Sequence, residues 1–240
     1  MSVALVTGAS RGIGRAVALR LARDGFAVAV NYRERQDAAD EVVGAIEGAG
    51  GRAKAFQADT GDANAVGALV AGVVAEFGGL DVLVNNAGAG GMRRFADVTA
   101  EELTANLAVN VVGPFVAMRE AAKAMRPGGR IVNISSSLTS MLLPGTTLGA
   151  PAKMALEGLT TIAAKEFGAL GITVNAVGPG PTDTDLFNEN APEMRAGAAA
   201  ASPFGRLGEP EEIADVVAFL VGAGGGWVSG QTLRVNGASA

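Results

Sequence analysis

The sequence predicts a single α/β domain built on a doubly wound parallel sheet. Short apolar runs rich in β-branched residues alternate with segments in which apolar residues recur three and four positions apart. Strands separated by helices imply right-handed crossovers, and therefore a parallel sheet covered by helices on both faces. The chain has 240 residues, a length that one α/β domain commonly reaches. We therefore expect one domain over 1–240.

Strands and helices are predicted in alternation from the N-terminus onward. The runs "VALV" and "VLV" are apolar at every position, as expected of strands buried on both faces. The predicted strands span 3–7, 26–31, 52–57, 80–85, 130–135, 172–177 and 232–236, and the predicted helices span 12–24, 35–49, 62–77, 99–125, 151–168 and 209–221. The longest segment without periodicity is 178–208, which we expect to be a substrate lid, because such long loops in compact domains are usually functional.

Composition and charge exclude several classes of protein. A net charge of −5 and a pI near 4.9 argue against general nucleic-acid binding. No apolar run approaches the roughly 18 residues that a membrane span needs. The start, "MSVALVTGAS", lacks the basic and long apolar regions of a signal peptide. We expect a cytoplasmic protein that binds neither nucleic acid nor a membrane.

The residue types that are absent restrict the chemistry. The chain has no Cys and no His, which excludes thiolate nucleophiles, imidazole bases and the usual zinc sites, so no metal is expected. It has one tyrosine, Tyr32. Any proton transfer must therefore use Asp, Glu, Lys, Ser, Thr, this tyrosine or water.

A glycine-rich turn follows the first predicted strand. In "TGASRGIG", Gly8, Gly12 and Gly14 have the spacing G-x-x-x-G-x-G at a strand-to-helix junction. Glycines let the backbone turn tightly and approach a pyrophosphate, whose charge the helix N-terminus stabilises. The turn predicts a dinucleotide-binding, Rossmann-type sheet. For a doubly wound domain of this type with seven strands, the expected strand order is 3-2-1-4-5-6-7.

The residues after the second predicted strand bear on the choice of nucleotide. That strand ends at Asn31, where an NAD-preferring site usually carries Asp or Glu. "NYRER" follows, with Arg33 and Arg35, and Arg11 lies within the glycine-rich turn. Because arginines pair with a 2′-phosphate, we expect NADP(H) to be preferred over NAD(H). Alternatively, Arg33 and Arg35 are only a solvated helix start.

Motifs along the whole chain resemble a known family. "TGASRGIG", "NNAG" (85–88), "IVNISS", "NAVGPGPTDTDL" and "EEIADVVAFLVG…VSGQTLRVNG" occur in the order found in short-chain dehydrogenase/reductases, most nearly 3-oxoacyl-[acyl-carrier-protein] reductases. The resemblance implies an NADP(H)-dependent ketoreductase-like enzyme acting on a small or carrier-protein-bound acyl or polyketide-like substrate. It also implies a homo-dimer or homo-tetramer, with contacts through 99–125, 151–168 and the last strand.

The same resemblance assigns residues to the cofactor. The three glycines would hold the pyrophosphate, Arg11 would favour the additional phosphate, and Asp59 would meet the adenine. Asp59 and Thr184 could instead be turn or cap residues. The expected cofactor-binding residues are Gly8, Ser10, Arg11, Gly12, Ile13, Gly14, Asn31, Arg33, Asp59, Thr60, Asn86, Ala87, Gly88, Lys153, Pro179, Gly180, Thr182 and Thr184.

The family's catalytic set is Asn, Ser, Tyr and Lys. Asn110 takes the first place, inside a predicted helix and next to Gly113 and Pro114, so a local distortion of the helix is expected there. The candidate serines are Ser135, Ser136 and Ser137, and alignment of "IVNISS" with the family favours Ser136.

The tyrosine of this set is missing. The family's Tyr-x-x-x-Lys ends at Lys153, so Gly149 occupies the tyrosine position. In the family the tyrosine donates a proton to the substrate carbonyl and the lysine lowers its pKa; a glycine has no proton to give.

Three explanations of this glycine are open. In the first, the protein is a reductase in which water over Gly149, or the substrate itself, supplies the acid. In the second, it is a silent NADP(H)-binding subunit that pairs with an active homologue. In the third, the pocket is repurposed for elimination, isomerisation or cyclisation, with Lys153 or a carboxylate as the base.

Overall fold

The computed structural model describes residues 1–188 and 191–240 and contains one seven-stranded parallel sheet. Its strands are β1 (Val3–Val6), β2 (Ala27–Tyr32), β3 (Ala53–Gln57), β4 (Leu80–Asn85), β5 (Met125–Ile134), β6 (Thr173–Pro179) and β7 (Thr232–Val235). Their order across the sheet is β3-β2-β1-β4-β5-β6-β7, which confirms the predicted doubly wound topology.

Helices connect the strands and cover both faces of the sheet. They are α1 (Gly12–Arg23), α2 (Gln36–Gly48), α3 (Ala63–Phe77), α4 (Ala100–Leu107), α5 (Gly113–Ala124), α6 (Leu138–Met141), α7 (Gly149–Phe167), α8 (Asp185–Asn188), α9 (Pro192–Ala201) and α10 (Pro210–Val221). Short 3₁₀ turns lie at Phe95–Asp97, Gly168–Leu170 and Ala223–Gly225. Within the described ranges, no helix is long and apolar enough to cross a membrane.

The sheet separates two hydrophobic cores. Alternate residues of a strand point to opposite faces, so Val6 of β1 packs with α1 and α10, while its neighbour Leu5 packs with α3 and α5. Both residues are fully buried. The continuous apolar runs read from the sequence thus reflect strands that contact helices on each side, and this packing leaves the carboxyl ends of the strands to form a site.

The helix predicted over 99–125 is interrupted, as expected near Asn110. A π-helical segment, Ala108–Val112, separates α4 from α5, and the Gly113 N–H donates to the Ala108 carbonyl five residues back. Pro114 has no N–H to give to the carbonyl of Asn110, and a Cβ on Gly113 would collide with the Thr60 carbonyl. α5 then ends early, so β5 begins at residue 125 and not at 130.

The expectation of an irregular segment over 178–208 is wrong for much of its length. β6 continues to residue 179, and α8 and α9 occupy 185–188 and 192–201. Pro192 takes the first position of α9 and four consecutive alanines end it, a composition that favours a helix. Residues 189 and 190, also within the expected lid, lie outside the described residues.

Candidate active site

A cavity of about 540 Å³ opens at the carboxyl ends of β1, β2, β4 and β5. That volume falls within the range of small-molecule and cofactor sites. It brings together most of the residues that the sequence singled out: Gly8, Ser10, Arg11, Gly12, Ile13, Gly14, Arg33, Asp59, Thr60, Asn86, Ala87, Gly88, Asn110, Ser136, Gly149, Lys153 and Thr184.

The glycine-rich turn forms the floor of this cavity. Gly8 and Gly12 have φ of 61° and 53°, in the left-handed region that glycine adopts without strain. A Cβ on Gly14 would collide with the Gly8 carbonyl oxygen and with Asn86 Nδ2. The glycine-rich turn therefore packs directly against the Asn86 side chain, and the N-terminus of α1 faces the cavity.

Asn86 and Thr7 fix the turn after β4 against the glycine-rich turn. Asn86 Nδ2 donates to the carbonyl oxygens of Thr7 at 2.9 Å and of Gly8 at 3.0 Å. Thr7 Oγ1 accepts hydrogen bonds from the backbone N–H groups of Asn86 and Ala87, each at 3.0 Å. Sequence reasoning missed Thr7, although its position immediately before Gly8 was a usable signal.

Asn31 does not line the cavity. It is buried beneath the glycine-rich turn, where its Oδ1 accepts from the Gly8 N–H at 3.1 Å. Its Nδ2 donates to the carbonyl oxygens of Phe56 and Ala58, both at 3.1 Å. The side chain is fully used in joining β2 to the strand exits on either side, so the structure gives it a positioning role.

Three further residues expected at the cofactor also lie outside the cavity wall. They are Pro179, the last residue of β6, and Gly180 and Thr182 just after it, where Thr182 Oγ1 donates to the Gly180 carbonyl at 2.9 Å. The Pro179 carbonyl accepts from the Ser137 N–H at 2.8 Å. These contacts join the exits of β5 and β6. Their role toward a cofactor stays a prediction.

Asp59 and Thr184 make the turn and cap contacts that the sequence suggested, and their role toward a cofactor stays a prediction. Asp59 Oδ1 accepts from the Gly61 N–H at 2.8 Å, and Thr184 Oγ1 accepts from the Phe187 N–H at 3.2 Å. They are therefore turn and cap residues that also line the cavity. A Cβ on Gly12 would stand 3.3 Å from Thr184 Cγ2, so the segment before α8 reaches the glycine-rich turn.

Lys153 lies at the other end of the cavity from the arginines. Its Nζ donates to the Ile134 carbonyl at 2.8 Å. No carboxylate pairs with it among the described residues. Burial without a counter-charge disfavours the ammonium form and lowers the pKa of Lys153 from 10.5 to about 8. Lys153 can therefore gain or lose a proton close to neutral pH.

Asn110 is fully buried in the π-helical segment beside Lys153. Its Nδ2 donates to the carbonyl oxygens of Ala89 at 2.7 Å and of Asn106 at 3.0 Å. Its Oδ1 has no hydrogen-bond donor among the residues that the structure describes. A buried acceptor without a donor costs free energy, and such groups often mark a place where a ligand or water is bound.

Gly149 lies one turn before Lys153 on the same face of α7. A Cβ at this position would find no atom within 4 Å, so packing does not require a glycine. The space over Gly149 opens into the cavity, which Ser136 also lines. Tyr32 lies at the other end, among Arg33 and Asp59, and cannot serve as the hydroxyl missing beside Lys153.

A network that sequence reasoning missed holds the exit of β5. Glu157 Oε1 accepts from Ser135 Oγ at 2.5 Å, from Thr139 Oγ1 at 3.0 Å and from Arg234 Nη1 at 2.8 Å. Arg234 Nη1 also donates to the Ser136 carbonyl at 3.0 Å. The Ser135 hydroxyl is thereby used in a hydrogen bond within the protein, which favours Ser136 as the hydroxyl available to a substrate. The position of Glu157, one turn after Lys153, was the only signal in the sequence.

A family model described as enoyl-(acyl carrier protein) reductase matches residues 8–238. The chain is also 39% identical over 236 residues to the 3-oxoacyl-[acyl-carrier-protein] reductase FabG of Staphylococcus aureus, a match that covers 98% of this chain and 96% of that protein. The chain belongs to the short-chain dehydrogenase/reductase family. The resemblance read from its motifs is confirmed, and with it membership of a family of oxidoreductases.

Solved structures of other short-chain dehydrogenase/reductases superpose closely on this one. A short chain dehydrogenase from Burkholderia cenocepacia, in complex with NADP, has a TM-score of 0.95 and 41% identity, covering 99% of this chain and 97% of that one. The angucycline C-6 ketoreductase LanV with bound NADP has a TM-score of 0.94 and 41% identity, with 99% and 95% covered.

The Glu157 network predicts a large effect on stability. Glu157→Ala removes the carboxylate that accepts from Ser135, Thr139 and Arg234, and hydrogen bonds to charged groups contribute about 1.5–3 kcal/mol each. We expect the free energy of unfolding in urea to fall by at least that amount. The control is Glu76→Ala, which removes an exposed carboxylate paired with Lys54 and Arg52 and should lower stability far less, because exposed ion pairs contribute little. Equal small losses in both variants would contradict the role given to Glu157.

The pKa of Lys153 predicts a pH-dependent stability. Because its folded pKa is depressed to about 8 from 10.5, the unfolded chain binds the proton more tightly between these values. Stability therefore rises with pH across this window, by on the order of 2 kcal/mol. We expect urea unfolding at pH 7 and pH 10 to show this gain in the wild type and not in Lys153→Met. The same pH dependence in both proteins would show that Lys153 titrates normally.

Proposed function

We propose that the protein is an NADP(H)-dependent reductase of carbonyl groups, ketoreductase-like but with an atypical active site that lacks the tyrosine. The observation that carries this proposal is that one cavity joins a glycine-rich turn and arginines at one end to Lys153, Ser136 and Asn110 at the other. The first end suits a phosphorylated dinucleotide, and the second suits a reacting carbonyl. The three catalytic roles, with Gly149 at the tyrosine position, are part of the proposal.

The chain's own geometry fits the dinucleotide. The glycine-rich turn leaves no room for side chains, and the N-terminus of α1 presents backbone N–H groups to a pyrophosphate. Solved relatives contain NADP, which supports the same cofactor here. When bound, NADP(H) supplies or accepts a hydride. Asp59 would meet the adenine, and Pro179, Gly180, Thr182 and Thr184 would hold the nicotinamide end.

The arginines at the cavity mouth support NADP(H) over NAD(H). Arg33 and Arg35 are more than half exposed, and Arg33 pairs with Glu34 at 2.7 Å. An exposed ion pair contributes little free energy, so a 2′-phosphate can take the place of the Glu34 carboxylate at small cost. Arg11 lines the same part of the cavity.

The arginines predict a selective loss of affinity for the phosphorylated cofactor. In Arg33→Ala, we expect the Kd for NADPH to rise about tenfold or more, a change of roughly 1.4 kcal/mol, because one charge-assisted contact is lost. The Kd for NADH should change little. Fluorescence titration measures both, with Arg23→Ala, at the far end of α1, as the control. An equal change for the two cofactors would contradict the 2′-phosphate assignment.

The chain's residues must supply a proton where the tyrosine is missing. Reduction of a ketone leaves an alkoxide that has to be protonated. Ser136 Oγ accepts from the Leu138 N–H at 3.2 Å, so its own proton is available to orient the carbonyl. Lys153 holds a proton with a pKa of about 8. A water in the space over Gly149, or an acidic group of the substrate, completes the path.

Restoring the tyrosine tests the reductase directly. General acid catalysis contributes about 10²–10⁴-fold to a rate, so we expect Gly149→Tyr to raise NADPH consumption with activated ketones by a factor in that range. A Cβ at residue 149 meets no neighbouring residue within 4 Å, and the position lines the cavity, so we expect the ring to be tolerated. Gly149→Phe is the matched control, since it fills the space without a hydroxyl. A folded Gly149→Tyr protein no faster than Gly149→Phe would overturn the proposal.

The absence of a tyrosine beside Lys153 also favours a second candidate, a silent subunit that pairs with an active homologue. In that case the protein binds NADPH without turnover and co-purifies with a related chain. The third possibility, elimination, isomerisation or cyclisation with Lys153 or a carboxylate as base, would form product with no net change in NADPH. Strict hydride stoichiometry in the wild type excludes both.

A homo-dimer or homo-tetramer is supported by apolar side chains on the surface. Phe115 on α5 and Met154 and Ile162 on α7 are exposed, and Trp227, shortly before β7, is almost fully exposed. Exposed apolar residues on these elements are typical of an association surface. The sequence expectation that 99–125, 151–168 and the last strand form contacts is consistent with this placement.

Exposed apolar side chains before α4 and after α6 support an apolar substrate, free or on a carrier protein. Met92, Leu142 and Leu143 are exposed, and a backbone bridge from Arg93 to Thr146 holds their segments together. Leu142 has φ of 47°, a strained value for a side chain of this size. An acyl or polyketide-like chain fits these surroundings better than a charged metabolite would, and the segment around α8 and α9 is the proposed lid.

A further inference from the structure

Arg234 of β7 extends across the neighbouring strand and reaches the exit of β5. In the sheet it is the register partner of Gly178 on β6. A Cβ on Gly178 would stand 2.7 Å from Arg234 Nη1, so the missing side chain at residue 178 leaves the guanidinium room to cross β6. The guanidinium thereby contacts Ser136 and Glu157, which lie 98 and 77 positions away in the chain.

Glu157 orients this guanidinium through two hydrogen bonds. Arg234 Nη1 donates to Glu157 Oε1 at 2.8 Å, and Nη2 donates to Oε2 at 3.2 Å. The two side chains are 31% and 19% exposed, so salt screens this pair less than an open surface pair. A two-point contact between guanidinium and carboxylate fixes direction as well as distance, which a lysine ammonium does not reproduce. The second proton of Nη1 is thereby directed at the exit of β5.

The peptide group between Ser136 and Ser137 is held from both sides. Arg234 Nη1 donates to the Ser136 carbonyl at 3.0 Å, and the Ser137 N–H donates to the Pro179 carbonyl at 2.8 Å. Because both groups belong to one planar peptide, the two contacts restrain its rotation and, with it, the direction of the Ser136 side chain. Ser136 Oγ also accepts from the Leu138 N–H at 3.2 Å, which restrains the hydroxyl itself.

The arginine and the carboxylate act at a distance from the cavity. Among the described residues that line it, Ser136 is present, and neither Arg234 nor Glu157 is. An effect of the pair on a bound substrate must therefore pass through the residues that it holds. A displacement of about 1 Å in a group that positions a substrate can cost on the order of 10²-fold in rate.

We propose that Arg234, oriented by Glu157, is a positioning residue that directs the Ser136 hydroxyl at the substrate carbonyl. This inference rests on the proposed function, in which Ser136 contacts the substrate oxygen. With Gly149 at the tyrosine position, no phenol helps to orient that oxygen, so the direction of the serine hydroxyl controls more of the rate. Loss of the Arg234 contact lowers kcat and leaves the affinity for NADPH unchanged.

A single introduced thiol reports the position of residue 136 without turnover. The chain has no cysteine, so in Ser136→Cys the new side chain is its only thiol for alkylation by iodoacetamide. Adding Arg234→Lys keeps the charge but not the two-point contact, and the half-buried thiol becomes more accessible. We expect the alkylation rate to rise at least about threefold. Gly178→Ala, whose Cβ displaces the guanidinium without removing a hydrogen-bonding group, should have the same effect.

Arg126→Lys is the matched control for this alkylation. Arg126 also bonds a carboxylate, Asp81 at 2.8 Å, and a backbone carbonyl, that of Gly78 at 3.1 Å, but at the opposite end of the sheet. It should leave the alkylation rate unchanged. Gly178→Ala alone decides the question if the Arg234→Lys protein does not fold by circular dichroism. An unchanged rate in the folded variants, or an equal rise in Arg126→Lys, would overturn the positioning role.

Kinetics tests whether the position of Ser136 reaches the reaction. We expect Arg234→Lys to lower kcat for ketone reduction at least about tenfold, with an unchanged Kd for NADPH. In a Ser136→Ala background the same replacement should change kcat by less than about twofold, because residues that act through one group are not additive. Full, independent losses in the double variant, or a raised Kd with an unchanged kcat, would contradict the proposal. A wild type that reduces no ketone, together with alkylation that depends on Arg234, would support the positioning of residue 136 and overturn the reductase alone.

Discussion

Close contact between the glycine-rich turn and the turn after β4 is the constraint on which the site depends. Gly14 leaves no space between α1, the Gly8 carbonyl and the Asn86 amide, and Asn86 and Thr7 close this contact with hydrogen bonds. Asn31 Oδ1 accepts from the Gly8 N–H below the turn and restrains it further. The strand exits are thereby fixed relative to one another, and the cavity between them is preformed.

At the far end of that cavity the balance of forces is different. Lys153 has given up hydration for one hydrogen bond to a backbone carbonyl, and Asn110 keeps an acceptor that no group in the described part of the chain satisfies. These groups cost stability unless a ligand contacts them. The network of Glu157 and Arg234 offsets part of this cost by fixing the exit of β5 against α7. On α7, the turn that carries Glu157 thus stabilises the fold, and the preceding turn, which carries Lys153, is left to contact a ligand.

Sequence patterns predicted the fold well because local physics dominates there. Strands buried on both faces require continuous apolar runs, and Pro114 cannot donate a helical hydrogen bond, so the parallel sheet and the distortion at Asn110 were both predictable. The position of the glycine-rich turn followed from its backbone requirements. These are features that a few adjacent residues determine.

What the sequence did not predict depends on contacts between distant segments. The inward orientation of Asn31 requires the exits of β1 and β3 to lie on either side of it, and the Glu157 network joins residues up to 98 positions apart. α8 and α9 were missed because glycine and proline in 178–208 outweighed the alanine-rich run within it. Long-range polar partners leave no periodic signal, so they become visible only in three dimensions.

The account depends most on Lys153 being the proton source beside the reacting carbonyl. The pH dependence of kcat/KM for ketone reduction by the wild type tests this directly. Because the ammonium must be protonated to act, the rate should fall as pH rises through about 8, and Lys153→Arg, which keeps its charge over this range, should not show that fall. A wild-type profile that is flat from pH 6 to 10, or the same fall in Lys153→Arg, would contradict it.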